Sequence, residues 1–582
     1  MAQELASQFV EQLQSAGVQR IYGIVGDSLN PIVDAVRRTG GSAKGGIDWV
    51  HVRHEEAAAF AASAEAQLTG KLAVCAGSCG PGNLHLINGL YDANRSGAPV
   101  LALASHIPSR QIGSGYFQET HPDRIFTECS VYSELVSTTD QAPRVVRDAI
   151  QHAVARRGVA VVTLPGDVAD LEASAPTPSC RPVEPGALHP APESVRRLAD
   201  AINKADKVAI FAGAGVQGAH DEVIELAARI NAPIGHSLRG KDFIQFDNPF
   251  DIGMTGLLGY GAAAEGIEDA DLLLLLGTDF PYDQFLPDTP TAQVDRAAEH
   301  IGRRTEVAVP VHGDVLPTLA ALLPLVEAKK SDRFLTRMLK KHDKLMNKAV
   351  SAYTRKVDKL VPIHPEYAAS VLDDVADEDA IFTADTGMCN VWTARYIRPL
   401  GTRRLIGSYL HGSMANALPH AIGAQMSHPD RQVISVSGDG GLSMLLGELV
   451  TAAALKIPIK VVLFNNSTLG MVKLEMLVDG LPDFGVDVPD TNYAAVAQAM
   501  GFHAQRVVQP TDLEEAYRAA FAHDGPALVE IITDPQALSL PPKITSEQVF
   551  GFATAMSKIV LNKGAGEAVS MARSNMRNLP RR

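Results

Sequence analysis

The stretches QVISVSGDGG (432–441) and IKVVLFNNS (459–467) decide the fold of the C-terminal part of this sequence. Each is a short apolar run that ends in residues able to hold a ligand, GDG in the first and NN in the second. Short apolar runs of this kind predict buried strands, and ligands in parallel sheets bind at the carboxyl ends of the strands. We therefore expect the two motifs to lie together at one edge of a sheet.

The residue types in these motifs indicate a metal–phosphate site. Asp439 and the side-chain carbonyl of Asn466 are hard oxygen ligands that suit Mg²⁺, which takes its other ligands from waters and phosphates. Glycines beside Asp439 let a phosphate approach the backbone closely and leave N–H groups free to point at it. A GDG on its own is usually a turn. Here 24 residues (441–464) separate GDG from NN, and a strand is expected before each motif.

Outward from this region, short apolar runs alternate with helical patterns, which predicts parallel sheets covered by helices. A Pro-rich stretch at 175–193 is interpreted as a linker, and a Lys-rich helical region covers roughly 326–360. We predict three α/β domains with doubly wound parallel sheets and a tail, with the bounds 1–180, 190–335, 361–540 and 543–582. The other strands are expected at 71–76, 99–105, 158–167, 207–215, 232–238, 271–280, 380–387 and 526–534.

Composition narrows the function classes. The 582 residues are too many for one core, so about three or four domains are expected. A net charge of −14 argues against general nucleic-acid binding, and the five cysteines lack the spacing of a zinc site or a disulfide framework. The N-terminal stretch is an amphipathic helix rather than a signal peptide, and no apolar run reaches the length of a membrane span. We expect a cytoplasmic protein whose membrane contact, if it has any, is peripheral.

The spacing of GDG and NN matches the signature of thiamine-diphosphate enzymes, and nearly the whole chain resembles the pyruvate oxidase and acetolactate synthase group. The resemblance implies a pyrimidine-binding first domain, a central FAD-binding domain and a diphosphate- and Mg²⁺-binding third domain. It implies that Asp439, Asn466 and the backbone carbonyl of Thr468 hold the metal, and that Met414 is the apolar wedge that bends the cofactor. The residues expected around thiamine diphosphate are Gly412, Ser413, Met414, Asp439, Gly440, Gly441, Asn466, Ser467, Thr468, Leu469, Gly470, Met471 and Val472.

The same resemblance selects a catalytic carboxylate. Thiamine chemistry needs a carboxyl group that hydrogen-bonds the pyrimidine ring, and a buried group serves this best. In VRHEEAAAFAASAEAQ, Glu55 and Glu56 by themselves are explained as acids that complement a helix N-terminus. The match of RHEEAAAFAA to the conserved-glutamate segment of the family favours the first of them, Glu55. Because that residue and the metal site meet across a subunit interface in this family, the resemblance also implies a homodimer or a dimer of dimers.

The central domain contains a formal GxGxxG pattern at Gly213–Gly218, but no acidic residue follows at the position that would hold a ribose. An NAD site is therefore disfavoured. The stretch SLRGKDFIQFDNPFDIGMTGLLGYG instead resembles the flavin-binding stretch of pyruvate oxidases. The residues that the resemblance places near the flavin are Met254, Thr255, Gly256, Leu257, Gly277, Thr278, Asp279, Phe280, Pro281 and Asp295.

The reaction implied is oxidative decarboxylation of pyruvate to acetate and CO₂, with electrons passing through FAD to a membrane quinone. The segment 104–130 resembles the quinone-linked enzymes, in which an aromatic residue equivalent to Phe117 borders the pyruvate pocket. Met471 departs from the pattern, since some quinone-linked members have phenylalanine there. The alternatives are an acetolactate synthase with a non-redox flavin, a flavin-free 2-keto acid decarboxylase and a catalytically inactive relative; the last is disfavoured because Glu55 and Asp439 are both present.

The tail offers two interpretations. Residues 545–563 have apolar side chains at helical spacing, and residues 563–582 carry Lys563, Arg573, Arg577, Arg581 and Arg582 against Glu567. An amphipathic segment beside a basic end suits a peripheral anchor on anionic lipid. The alternative is a helix packed on its own protein. The tail also resembles the lipid-responsive tail of the quinone-linked enzymes. Both interpretations hold in turn if the tail is docked at rest and released when the flavin is reduced.

Overall fold

The computed structural model of the chain describes residues 3–538, 565–575 and 577. Three α/β units follow one another, each built around its own mostly parallel sheet, as the sequence predicts. In every sheet the central strands are the apolar runs recognised in the sequence, because a parallel sheet covered on both faces buries its middle strands completely.

The first unit has a six-stranded sheet in the order β2-β1-β3-β4-β6-β5, and all its neighbouring strands are parallel. Its strands are β1 Arg20–Gly23, β2 Asp48–His51, β3 Ala73–Gly77, β4 Val100–His106, β5 Tyr132–Leu135 and β6 Val159–Pro165. Its helices are α1 Leu5–Ser15, α2 Asn30–Arg38, α3 Glu55–Thr69, α4 Pro81–Ser96, α5 Pro122–Ile125, α6 Ala142–Arg156 and α7 Gly166–Ala169.

The second unit has a seven-stranded sheet in the order β10-β9-β8-β7-β11-β12-β13, in which only the short β10 runs antiparallel to its neighbour. Its strands are β7 Val208–Ala212, β8 Ile234–His236, β9 Asp251–Met254, β10 Tyr260–Gly261, β11 Leu272–Leu276, β12 Thr291–Asp295 and β13 Val309–His312. Its helices are α8 Pro192–Lys204, α9 His220–Ile230, α10 Lys241–Ile244, α11 Ala263–Glu268 and α12 Val315–Leu322.

The third unit has a six-stranded parallel sheet in the order β15-β14-β16-β17-β19-β18. Its strands are β14 Ile381–Ala384, β15 Arg404–Gly407, β16 Val433–Gly438, β17 Lys460–Asn465, β18 His503–Val507 and β19 Ala527–Ile532. The helices from the connecting region onward are α13 Arg333–Leu345, α14 Pro365–Val375, α15 Met388–Tyr396, α16 Ala417–Ser427, α17 Asp439–Met444, α18 Glu448–Ala454, α19 Gly470–Val478, α20 Tyr493–Ala499, α21 Leu513–Ala522 and, in the tail, α22 Ala565–Asn575.

Several local predictions are confirmed. Each of the ten predicted strand segments contains a strand, and the Pro-rich linker has neither helix nor strand before Pro192. The five cysteines are free and buried. The amphipathic segment predicted at 545–563 lies outside the described residues, and so do Lys563, Arg581, Arg582 and the side chain of Glu567.

The first and third units are joined by unusually close helix packing. The alanine-rich α3 lies between α4 and α16. A Cβ atom placed on Gly89 of α4 would lie 2.5 Å from Ala59 Cβ, and one placed on Gly423 of α16 would lie 2.0 Å from the carbonyl oxygen of Ala61. Only glycine fits at these two crossings, so the three helices hold the two units in one fixed arrangement.

No helix in the described ranges is both long enough and apolar enough to cross a membrane.

Candidate active site

The GDG motif at 438–440 and the NN motif at 465–466 lie side by side. Strand β16 ends at Gly438, and α17 begins directly with Asp439. Its neighbour β17 ends at Asn465, and the register pairs Gly438 with Phe464. The carboxyl ends of both strands therefore meet at one edge of the third sheet, as predicted.

Asp439 is buried, and its Oδ2 has no hydrogen-bond partner among the described residues. Burial raises the pKa of this carboxyl group to about 6, although backbone amides of Gly440, Asp439 and Ser467 oppose the shift. A buried carboxylate oxygen without a partner costs free energy unless something binds it. The donor set beside it consists of amide and carbonyl oxygens, so Asp439 fits the role of a Mg²⁺ ligand.

The loop after β17 is shaped by its own side chains. Asn465 donates to Glu530 Oε1 at 2.8 Å, and its Oδ1 accepts from the Ser467 amide at 3.2 Å. Ser467 has a left-handed backbone with φ of 52°. Asn466 Oδ1 accepts from the Thr468 amide at 3.2 Å, which folds the two candidate ligand residues into one tight turn. Helix α19 begins two residues beyond Thr468, so its first amides point back toward this turn.

The predicted cofactor loop also reaches this edge. The position of a Cβ on Gly440 lies 3.5 Å from Met414 Cε and 2.6 Å from Leu469 Cδ2. Thus side chains from the other two predicted cofactor segments, Met414 and Leu469, meet at Gly440, and a side chain at this position would require Leu469 to shift. Met471 is half-buried against the hydrophobic core of the third unit, and Val472 beside it is exposed.

Sequence reasoning missed Asp385, which follows β14. It is fully buried and accepts from the backbone amide of Asn416 at 3.2 Å and from the side-chain amide of Asn416 at 3.0 Å. Its Oδ2 lies so close to Gly441 that a Cβ there would be 2.0 Å away. Burial raises the pKa of Asp385 to about 7. The available signal was an acidic residue at the carboxyl end of a strand next to β16.

In the first unit, Glu55 is the first residue of α3 and is buried. Its Oε2 lies 2.9 Å from Nδ1 of His85 on α4, and its Oε1 lies 3.0 Å from the position of a Cβ on Gly82. The His54 side chain caps the helix by accepting from the Glu56 amide. The local pattern HEE therefore begins a helix and also leaves the Glu55 carboxyl group in a sheltered position facing α4. His85 was not identified from the sequence.

A polar cluster lies at the carboxyl ends of the first sheet. Ser28 Oγ is 2.5 Å from Ser105 Oγ and 3.1 Å from Ser78 Oγ, and it also accepts from the Cys79 amide. Cys79 Sγ lies 3.4 Å from Gln118 Oε1, which ties the loop before Pro81 to the loop that carries Phe117. The sequence did not predict this cluster, because its three serines lie in three separate parts of the chain: a short helical turn at Ser28, the loop after β3 at Ser78 and strand β4 at Ser105.

Phe117 lies in an irregular loop after β4, and its side chain is 78% exposed. The loop is folded back by the Glu119 carboxylate, which accepts from the amides of Gly113, Gly115 and Tyr116. These backbone hydrogen bonds lower the pKa of Glu119. The described residues offer no cover for the phenyl ring, so its predicted role at a substrate pocket stays a prediction.

The candidate flavin segments lie together at the carboxyl edge of the central sheet. The position of a Cβ on Gly256 is 3.0 Å from Phe280 Cζ, and the Gly277 amide donates to the carbonyl of Val294 beside Asp295. Thr255 Oγ1 is buried without a hydrogen-bond partner within the described ranges, as expected for a group that binds a ligand. The residues present therefore fit a flavin.

Two charges in this region are already compensated. Asp279 forms ion pairs with Arg303 and Arg304, and Asp295 accepts from the Ala297 amide at 2.9 Å. Burial raises the pKa of Asp295. Gly215 of the GxGxxG segment packs directly on Gly277, so these glycines serve close packing between β7 and β11.

The part of the chain that the structure describes contains no group of three or more His, Cys, Asp or Glu side chains able to hold a metal. The predicted set at Asp439 uses one carboxylate, one amide oxygen and one backbone carbonyl, together with phosphate oxygens.

Comparison with known families and proteins agrees with this arrangement. Three domain descriptions match the chain: "Thiamine pyrophosphate enzyme, N-terminal TPP binding domain" at 3–125, "central domain" at 195–322 and "C-terminal TPP binding domain" at 385–531. The Bacillus subtilis (strain 168) protein YdaP, named as thiamine pyrophosphate-containing, is 36% identical over 577 residues, which cover 99% of each chain.

Two further relatives carry reaction names. Pyruvate oxidase of Lactiplantibacillus plantarum is 30% identical over 546 residues, covering 91% of this chain and 88% of its own. The large subunit of acetolactate synthase isozyme 1 of Escherichia coli (strain K12) is 28% identical over 559 residues, covering 93% of this chain and 96% of its own.

Proposed function

The chain belongs to the thiamine pyrophosphate enzyme family, among relatives of the pyruvate oxidases and acetolactate synthases, and from this we propose that it is a pyruvate:quinone oxidoreductase. In the proposed reaction, pyruvate and water give acetate, CO₂, two protons and two electrons. When bound, FAD would supply the two-electron carrier between this reaction and a membrane quinone, thiamine diphosphate would supply a carbon nucleophile for the keto carbon, and Mg²⁺ would hold the diphosphate.

The residues of the chain have separate proposed tasks. Asp439, Asn466 and the carbonyl of Thr468 hold the metal, and Met414 supports the cofactor from the side of Gly440. Glu55 hydrogen-bonds the pyrimidine ring and moves a proton there, with His85 fixing the direction of its carboxyl group. Phe117 lines the pyruvate pocket, and the segments 254–257 and 277–281 hold the flavin.

We propose that the active enzyme is a homo-oligomer, a dimer of dimers, in which Glu55 of one copy meets the cofactor edge of another. Large apolar side chains are exposed near both edges, which supports this proposal. Leu84 near the Glu55 site is 45% exposed, and Met444 and Phe484 near the metal turn are 60% and 85% exposed. Large apolar side chains left exposed beside a functional site are common in protein interfaces.

The observation that carries the choice of an oxidase over a synthase is the tail. Helix α22 buries Met571 against Leu474 and Leu477 of α19, the helix that begins at the metal turn. Ser574 Oγ donates to Asp534, and the Arg577 guanidinium lies 5.2 Å from the Tyr353 ring centroid. The proposed reaction gives such a tail a task, because its electron acceptor lies in the membrane. An element that contacts the cofactor helix directly suits an enzyme whose membrane contact depends on the state of its active site.

The proposed contact with the membrane follows from the proposed electron acceptor, a quinone. A quinone dissolved in the bilayer requires the protein to reach the inner face of the cell membrane as a peripheral protein. The basic residues of the tail provide attraction to anionic lipid.

A spectrum of the purified protein tests the proposal. The proposed enzyme shows flavin absorption that bleaches when pyruvate is added without oxygen, and one acetate forms per flavin reduced. An acetolactate synthase keeps its flavin oxidised and forms acetolactate, and a simple decarboxylase shows no flavin. Either of these last results rules out the proposed function.

A further inference from the structure

One amide side chain connects a candidate active-site segment of the first unit to a candidate active-site segment of the third unit within a single chain. Asn88 of α4 donates from Nδ2 to Glu56 Oε1 at 2.7 Å and to Ser413 Oγ at 2.8 Å. Its Oδ1 lies 2.8 Å from Nε2 of His411 and accepts from it when that nitrogen carries the proton. Both amide hydrogens and the carbonyl oxygen of Asn88 are therefore engaged.

These partners belong to two different functional segments. Glu56 is adjacent to the candidate catalytic Glu55, and Ser413 is the middle residue of the candidate cofactor loop Gly412–Met414. The Asn88–Ser413 bond joins residues 325 positions apart. Nothing in the local sequence around Asn88 indicates this contact, and the expectations drawn from the motifs did not include it.

The framework behind Asn88 is rigid, whereas the cofactor loop has little packing of its own. The next residue, Gly89, marks the tight crossing of α4 on α3, which fixes the backbone from which Asn88 projects. In contrast, Gly412 has a left-handed φ of 76°, and nothing lies within 4 Å of the position of its Cβ. The loop is thus open at Gly412, and hydrogen bonds to the residues around it help to place it.

The other hydrogen bonds of the loop support the same conclusion. The Ser413 amide donates to Ser408 Oγ at 3.0 Å, within the loop itself. His411 stacks on Tyr91 of α4 with 5.5 Å between ring centroids, and Arg95 of α4 reaches the Leu410 carbonyl at 3.4 Å. Of the three α4 residues that contact this loop, Asn88, Tyr91 and Arg95, Asn88 is the one that also binds the Glu55–Glu56 segment.

We propose that Asn88 is a positioning residue that holds the loop Gly412–Met414 in the shape that binds thiamine diphosphate and couples that loop to the carboxylate segment. The proposal rests on the placement of the cofactor along this loop, and it does not depend on which reaction follows. If Asn88 is removed, the loop samples other positions, and cofactor binding must pay for ordering it again.

The test measures cofactor affinity of the apoprotein, without substrate. Thiamine diphosphate is titrated in the presence of Mg²⁺ by calorimetry, and amide hydrogen exchange is followed at residues 408–416. For Asn88→Ala we expect about tenfold weaker binding, since net hydrogen bonds contribute roughly 0.5–1.5 kcal/mol each and tenfold corresponds to about 1.4 kcal/mol. Exchange in the loop should become faster, while exchange in the central unit stays unchanged.

A second variant and a matched control separate positioning from damage to the fold. Ser413→Ala removes the hydroxyl that accepts from Asn88 and donates to the Met414 carbonyl at 2.9 Å. Because both single variants lose the same Asn88–Ser413 bond, the double variant should lose less affinity than the sum of the two single effects. Gln67→Ala is the control. Gln67 also has a half-buried side-chain amide, but its Nε2 donates to Ser63 Oγ at 3.0 Å, so this hydrogen bond stays within α3. We expect Gln67→Ala to bind the cofactor normally.

Three outcomes overturn the proposal: Asn88→Ala binds the cofactor within twofold of the unchanged protein, the effects of Asn88→Ala and Ser413→Ala add fully, or Gln67→Ala weakens binding equally. Because pyruvate and flavin play no part in this titration, failure of the pyruvate test leaves this result standing. Conversely, flavin bleaching together with unchanged affinity in Asn88→Ala rejects only the role of Asn88.

Discussion

Among single residues, Glu55 is the one on which the proposed chemistry depends most. Its carboxyl group is buried and lies 2.9 Å from His85 Nδ1. Glu55→Gln preserves shape and hydrogen bonding but cannot exchange a proton, so we expect the fold and bound cofactors to persist. Pyruvate-dependent reduction of a soluble dye should fall by roughly 10²–10⁴-fold.

The adjacent acid provides the matched control for that prediction. Glu56→Gln keeps an oxygen that can accept from Asn88 and lies on the same helix turn. We expect it to retain most of the dye-reduction rate. If Glu55→Gln keeps more than about a tenth of the rate, or if Glu56→Gln is equally impaired, the assignment of the first glutamate is wrong.

A substitution of Asp439 tests whether thiamine diphosphate and FAD bind at separate sites. Asp439→Ala removes the buried oxygen that has no partner in the described structure, so Mg²⁺ and thiamine diphosphate should no longer be retained. FAD should stay bound, because its candidate segments belong to the central sheet. Cofactor analysis after dialysis checks this, with Asp279→Ala as the reciprocal variant for the flavin side. Loss of both cofactors from Asp439→Ala contradicts the assignment to separate units.

For single residues, the sequence predicted which site residues meet at the edge of one sheet. It did not predict side-chain contacts made with other helices and loops. Asp439 and Asn466 could be placed together because neighbouring parallel strands end at one edge. His85 and Asp385 could not be found in this way. His85 faces Glu55 from 30 residues away on a different helix, and Asp385 is recognisable only once Asn416 is seen to bind it.

Among the secondary-structure elements, apolar content decided which strands were predictable. Strands such as β4 and β11 are continuous apolar runs, and all ten segments chosen on that basis contain strands. Nine strands in the described residues were not predicted. Six lie at sheet edges (β2, β5, β10, β13, β15 and β18) and three lie inside a sheet (β1, β9 and β12). They are short, with two to five residues, and most carry polar residues, as in YSEL of β5, so they do not form the continuous apolar run by which a buried strand is recognised.

The packing of α3 against its two neighbours gives a prediction at the same scale. Gly423→Ala puts a methyl group 2.0 Å from the Ala61 carbonyl oxygen, so α16 must shift away from α3. Overpacking of this kind costs typically 1–3 kcal/mol, and we expect a lower melting temperature and weaker cofactor retention. Gly447→Ala is the control, since its nearest neighbour is Arg53 Cβ at 3.8 Å. Equal melting temperatures for the two variants contradict the argument.

For the whole molecule, the arrangement of the three units depends on contacts that sequence periodicity does not reveal. Lys241 is buried, and its Nζ donates to the carbonyls of Ala394 and Ile397 at 2.6 Å each, at the end of α15. Burial lowers the pKa of Lys241 to about 8. Arg239 reaches the Ser96 carbonyl at the end of α4 at 2.9 Å. In the sequence these two basic residues are part of the stretch SLRGKDF that resembles a flavin-binding segment, whereas in the structure they join the central unit to both others.

The tail gives the prediction that involves the whole molecule. Truncation after Pro542 removes α22 and the five basic residues of 563–582, but no residue proposed for catalysis. We expect reduction of a soluble dye by pyruvate to be unchanged or raised. Binding to anionic vesicles should be lost, because each basic residue near a charged surface contributes on the order of 1 kcal/mol. Turnover with a bilayer quinone should fall sharply.

A variant of the full chain tests the docked state itself. Met571 is buried against Leu474 and Leu477, so Met571→Ala weakens docking of α22 while keeping every basic residue. If docking holds the tail away from lipid, this variant should bind anionic vesicles more tightly than the unchanged protein even before pyruvate is added, and high salt should reverse the gain. The truncated and Met571→Ala proteins are therefore expected to change vesicle binding in opposite directions. If both weaken it, or neither changes it, α22 is an ordinary structural helix, and the proposal of peripheral membrane contact through the tail is wrong.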